Sequence, residues 1–91
     1  MQNNFAKLRQ ALQDPADGPY ALIKMRERLI EALRDFPAER YQVADLLLAQ
    51  GRPISQNSRR VIGYLIEALE NNTIDPGDIL DLAEMLRLMY G

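Results

Sequence analysis

The chain of 91 residues has no cysteine and no histidine. Without cysteine there is no disulfide, no thiolate nucleophile and no thiolate metal ligand. Without histidine the chain also lacks the commonest general base and the commonest metal ligand. Both absences argue against catalysis and against a transition-metal centre.

The chain also has no large excess of positive or of negative charge. Eleven Lys and Arg residues oppose thirteen Asp and Glu residues, which gives a net charge of −2. A chain with this balance has no overall field that would attract nucleic acid or anionic lipid. Any recognition of phosphate must therefore come from a local cluster of basic side chains.

Long hydrophobic runs are missing as well. The longest are a few residues, such as Leu-Leu-Leu-Ala at positions 46–49. A membrane-spanning helix needs roughly 20 apolar residues, and the core of a secretory signal needs about 7–15. We therefore expect a cytoplasmic protein that does not bind a membrane.

The hydrophobic pattern is helical throughout. Apolar residues recur at spacings of three and four in five segments, and no segment shows the sustained alternation of a strand. We predict an all-α fold, a single domain over residues 1–91, built as a compact bundle of four or five short helices packed as antiparallel hairpins. The five segments are residues 3–13, 19–35, 38–50, 56–71 and 75–90.

Local signals mark several helix ends. Ser55 is the expected N-cap of the fourth helix, and Pro76 fits the first position of the fifth. Gly51 fits a left-handed cap after the third helix. Gly63 falls inside the fourth helix, where glycine costs about 1 kcal/mol relative to alanine. We expect a close approach of a second helix at Gly63.

Part of the chain repeats itself. Residues 29–33 and 65–69 both read Leu-Ile-Glu-Ala-Leu, and each copy is followed by a break and a second helix with a similar core. Such a period suits two duplicated helical hairpins. Amphipathic helices also share a small alphabet, so a chance match is the alternative, and the predicted bundle holds in both cases.

The fifth segment is apolar around most of its circumference, because only Asp81, Glu84 and Arg87 are polar between residues 79 and 90. Such a helix is either the central element of a bundle or presents a spare face to another chain. We predict a small non-catalytic protein-interaction module that binds a partner protein, or a copy of itself, through helical faces. Bacterial adaptors, chaperones, anti-activators and immunity proteins share this profile. The expected interface comprises Leu80, Leu88 and Tyr90, with Arg52, Arg59 and Arg60 as a polar patch nearby.

An alternative function is DNA binding by a helix-turn-helix transcriptional regulator. Polar and basic residues gather where the fourth segment begins, near Gln56, and Arg, Asn and Gln are the side chains that read guanine and adenine. The preceding segment would be the supporting helix. The DNA-contacting residues would be Arg52, Gln56, Asn57, Arg59 and Arg60.

We find no enzyme motif. A serine nucleophile would need a base other than histidine, and only Lys7 and Lys24 are available as lysine bases. No glycine-rich phosphate loop is present. Asp78, Asp81 and Glu84 share one side of the fifth helix, where we interpret them as a solvated strip. We therefore predict no catalytic residue, cofactor, metal or small-molecule substrate.

Overall fold

In the computed structural model, described over residues 5–16, 18–49 and 51–90, all regular secondary structure is helical. The all-α prediction is therefore confirmed for these ranges. The helices are α1 (Ala6–Gln13), α2 (Pro19–Ala32), α3 (Arg40–Leu47), α4 (Gln56–Asn71) and α5 (Pro76–Tyr90).

One cluster of buried apolar side chains joins these helices. Leu8, Leu29, Val43, Ile62 and Ile79, one from each helix, are at most 1% exposed. Among the described residues no polar or charged residue is buried. The radius of gyration is 12.0 Å, and a compact chain of this length is expected to have a radius of about 12 Å. Burial of these apolar faces is therefore the main source of stability.

A local signal marks the start of α4, whose bounds match the predicted segment. Ser55 caps it, because its Oγ accepts a hydrogen bond from the backbone N–H of Ser58 at 3.0 Å. Pro76 is the first residue of α5, as predicted. Gly51 has a φ of 74°, so the left-handed conformation expected there is confirmed. It does not cap α3, because that helix ends at Leu47 with Leu48 as its C-cap.

Helices α2 and α3 are shorter than predicted. Helix α2 ends at Ala32, and the chain turns before Pro37: the N–H of Phe36 donates to the carbonyl of Leu33 at 2.8 Å, three residues back instead of four. Helix α3 ends at Leu47, and Leu48 turns to an extended conformation with its side chain only 2% exposed. The chain therefore leaves the helix at Leu48 and buries this side chain in the core instead of forming another helical turn. Residues 3, 4 and 50, which we assigned to helices, lie outside the described ranges.

The close approach expected at Gly63 is wrong. A Cβ atom built on this residue would meet no other atom within 4 Å. The packing of the bundle therefore does not require glycine at this position, although Gly63 lies in the interior of α4.

The helices pair as hairpins, α2 with α3 and α4 with α5, and α5 also packs on α3. Tyr64 lies near the middle of α4, and its ring contacts that of Tyr90 at the end of α5. The two copies of the repeat are buried differently. Leu29 and Leu65 are both in the core, but Leu33 is buried whereas Leu69 is half-buried. The hairpins differ in length because α3 has 8 residues and α5 has 15.

Candidate interaction surfaces

Helix α5 is not buried all round. Ile79, Ala83 and Leu86 face the core, and the opposite side is exposed. We call that opposite side the outer face of α5. Its exposed members are Asp78, Asp81, Glu84, Met85, Leu88 and Met89.

The outer face of α5 holds the most exposed aliphatic side chain of the described residues. Leu88 is 88% exposed, Met89 is 62% exposed and Met85 is 50% exposed. Met85 lies three residues before Leu88 and four before Met89, so the three side chains lie next to one another on the helix surface. Together they form a small apolar patch.

The charged side chains on the outer face of α5 are all acidic. Asp78, Asp81 and Glu84 are exposed, and none of them forms an ion pair with another residue of the described ranges. Within the same ranges no group of three acidic residues is arranged to hold a metal ion. The apolar patch is therefore bordered mainly by negative charge, with Arg87 at the edge of the face in a cleft with Glu84 and Leu88.

The structure separates the three apolar residues predicted for the interface. Leu88 is exposed, whereas Leu80 and Tyr90 are half-buried and pack against the core cluster. The sequence interpretation missed Met85 and Met89. Their spacing of four residues, on the same side of the helix as the acidic residues, is the signal that would have found them.

Arg59 is turned toward α1. Its Nη1 donates to the carbonyl oxygens of Ala11 at 3.3 Å and Leu12 at 3.0 Å, and its Nη2 donates to that of Ala16 at 2.9 Å. The last carbonyls of a helix have no partner within the helix, and a cation there also favours the helix dipole. Arg59 therefore caps the end of α1, a role that no local pattern in the sequence indicates.

The other predicted polar residues, Arg52, Gln56, Asn57 and Arg60, are exposed. Arg52 and Asn57 line the same surface cleft as Arg87 of α5, which brings the connection before α4 close to α5. Gln56 and Arg60 do not line this cleft. The predicted patch is thus divided. Arg59 caps α1, Arg52 and Asn57 line the cleft, and Gln56 and Arg60 lie outside that cleft.

Two adjoining clefts form a groove beside Arg52, which we call the arginine groove. Their volumes are about 290 Å³ and about 370 Å³. Both are lined by Leu22, Leu48, Arg52 and Pro53. The first cleft extends to Asn57, Val61 and Arg87, and the second extends to Pro19, Ile23 and Arg26.

The arginine groove is basic. No acidic residue of the described ranges lines either cleft. Arg26 is neutralised because its Nη2 lies 2.9 Å from Oδ1 of Asp45. Arg52 and Arg87 form no ion pair within the described part of the chain. The groove therefore combines an apolar floor with two uncompensated positive charges.

Two features differ from a helix-turn-helix. Residues 48–55 connect α3 to α4, eight residues in all, whereas the motif uses a turn of about three or four. Arg59, one of the proposed DNA contacts, is bonded within the chain.

No helix in the described ranges has the length and hydrophobicity needed to cross a membrane. Comparison of the chain with protein-family models, with curated proteins and with solved structures gives no match. The outer face of α5 and the arginine groove are therefore the features of this chain that bear on its function.

Proposed function

We propose that this chain is a non-catalytic protein-interaction module that binds a partner protein through the outer face of α5. The observation that supports this function is the exposure of Leu88, at 88%, with two methionines beside it. Burying one leucine side chain fully is worth about 1.5–3 kcal/mol. Methionine is enriched at protein interfaces and adapts its shape to the partner.

The partner that fits this surface is an amphipathic helix with a narrow apolar seam and basic flanks. Met85 and Leu88 follow one another at the spacing of a seam between paired helices. Asp81 and Glu84 border this seam, so lysine or arginine on the partner would lie opposite an acid. Charge then selects the partner and apolar contact supplies most of the affinity.

A second copy of the chain fits this surface less well. Pairing two outer faces would bring Asp78, Asp81 and Glu84 of one molecule close to the same acids of the other. Arg87, the only basic side chain of α5, lies at the edge of this face in a cleft with Glu84 and Leu88, and it opposes three acids. Like charges across an interface are unfavourable and reject wrong partners.

The test uses a fluorescently labelled helical peptide with a leucine seam and lysine flanks, and fluorescence anisotropy as the measurement. We expect saturable binding to the wild-type chain, weaker at high salt because exposed charges are screened. Leu88→Asp should remove the binding and leave the circular dichroism spectrum unchanged, because Leu88 is almost fully exposed.

Tyr41→Asp is the matched control, because Tyr41 is an exposed hydrophobic residue on α3. It should bind the peptide like the wild type. Equal binding by Leu88→Asp would contradict the proposal, and so would equal binding of a peptide with glutamate flanks. A wild-type dimer that Leu88→Asp converts to a monomer would show instead that the partner is a second copy.

A further inference from the structure

We infer that the arginine groove is a second binding site, which takes a short acidic segment of another protein with apolar side chains between its carboxylates. This site adjoins the outer face of α5, because Arg87 also lines a cleft with Glu84 and Leu88. Arg52 lies where the two clefts meet and Arg87 lines one of them, so both guanidinium groups border the same apolar floor.

The floor of the groove supplies the apolar half of the recognition. Leu22, which is half-buried, lines both clefts above the buried Leu48, and Ile23, which is 56% exposed, borders the second. In an extended peptide every second side chain points the same way. Alternate apolar side chains of such a segment can therefore enter the two adjoining clefts.

The arginines supply the charged half. Guanidinium groups bind carboxylates through paired hydrogen bonds, and these are stronger than bonds between neutral groups. Within the described residues Arg52 and Arg87 form no ion pair, although Glu84 shares a cleft with Arg87, whereas Arg26 is already paired with Asp45. The exposed side chain of Asn57 adds a donor and an acceptor beside them for the backbone of the segment.

A peptide fits this groove better than the other anionic ligands. The two clefts lie side by side at the surface, whereas small-molecule sites enclose most of their ligand. A nucleic acid backbone has phosphates for both arginines but no aliphatic side chains for the floor at Leu22 and Leu48. The net charge of −2 also gives no general attraction for phosphate.

The test measures anisotropy of a labelled peptide in which two leucines, two residues apart, enter the clefts and glutamates at both ends of this stretch reach the arginines. The expected result is saturable binding that weakens about tenfold or more in the double variant Arg52→Ala with Arg87→Ala, which loses both charged contacts. Arg34→Ala with Arg60→Ala is the control, because it removes two exposed arginines that line neither cleft. The control should bind like the wild type. Replacing leucine by serine in the peptide should also abolish binding.

A charge reversal makes the test sharper. Arg52→Glu with Arg87→Glu should lose the glutamate peptide and gain affinity for the same peptide built with lysine. Met85→Asp should leave the glutamate peptide bound, because Met85 is on the outer face of α5 and lines no cleft with Arg87, and this separates the two sites. The inference is overturned if the wild-type chain binds the glutamate and lysine peptides equally, or binds neither of them. It is also overturned if Arg52→Ala with Arg87→Ala keeps full affinity for the glutamate peptide. If a DNA duplex binds more tightly than the glutamate peptide, and this binding depends on Arg52, the groove is a nucleic-acid site instead.

Discussion

The rings of Tyr64 and Tyr90 lie against each other, with their centroids 4.5 Å apart and their planes inclined at 34°. Tyr90 is the last residue of α5, and Tyr64 is in α4. This contact therefore fixes the final turn of α5 to its neighbour. The same turn carries Leu88 and Met89, so the aromatic pair holds the apolar patch of the outer face in place.

We expect the two tyrosines to be coupled energetically. Aromatic pairs in this geometry contribute about 0.5–1.5 kcal/mol beyond the area they bury. The free energies of unfolding of Tyr64→Ala, Tyr90→Ala and the double variant, measured in urea, give the coupling directly. Strictly additive losses would mean that the rings do not stabilise each other in solution.

Arg59→Ala should destabilise the fold by about 1–3 kcal/mol, because a charged donor is lost from the carbonyls that end α1. The neighbouring change Arg60→Ala is the control, and it should shift the free energy of unfolding by less than about 0.5 kcal/mol because Arg60 is exposed. Thermal or urea unfolding monitored by circular dichroism measures both. Equal effects of the two changes would contradict the cap.

Gly63→Ala should stabilise the protein by about 0.5–1 kcal/mol. The added methyl group meets no atom within 4 Å, and the residue lies inside α4, where alanine is the better helix former. The measurement is the midpoint of urea unfolding. A loss of stability would show that a neighbouring group approaches Gly63 in solution.

Ser55→Ala should cost about 1 kcal/mol, because the backbone N–H of Ser58 would lose its acceptor at the start of α4. Ser55→Asp provides the comparison, since aspartate caps helices about as well as serine. Urea unfolding should therefore rank the wild type and Ser55→Asp together, above Ser55→Ala. If all three unfolded at one urea concentration, the cap would contribute nothing.

The sequence predicted those parts of the fold that nearest neighbours decide. Helix α4 was predicted with its bounds because Ser55 provides the cap and the apolar spacing runs without a break to Asn71. The end of α3 could not be predicted in the same way, because it depends on burying Leu48 against the rest of the bundle. Gly63 was interpreted wrongly for a related reason, since a local pattern does not show what lies beside it.

The candidate surfaces show the same limit. Leu88 was identified because the fifth segment is apolar around most of its circumference, which the local sequence alone shows. The acceptors of Arg59 lie 43–48 residues away in the chain, so its role as a cap was not visible. The arginine groove draws Leu22, Arg52 and Arg87 from three separate segments, and only the packing of the hairpins brings them together.

One wall of the arginine groove depends on a single residue with a left-handed backbone conformation. Gly51 lines one of its clefts with a φ of 74°, a conformation that L-amino acids adopt at a cost of roughly 1–2 kcal/mol. A D-amino acid favours this geometry. In a chemically synthesised chain, D-alanine at this position would therefore retain the path of the backbone, whereas L-alanine would strain it. The two mirror-image forms add the same methyl group, so comparing them separates the shape of the groove from the chemistry of its side chains.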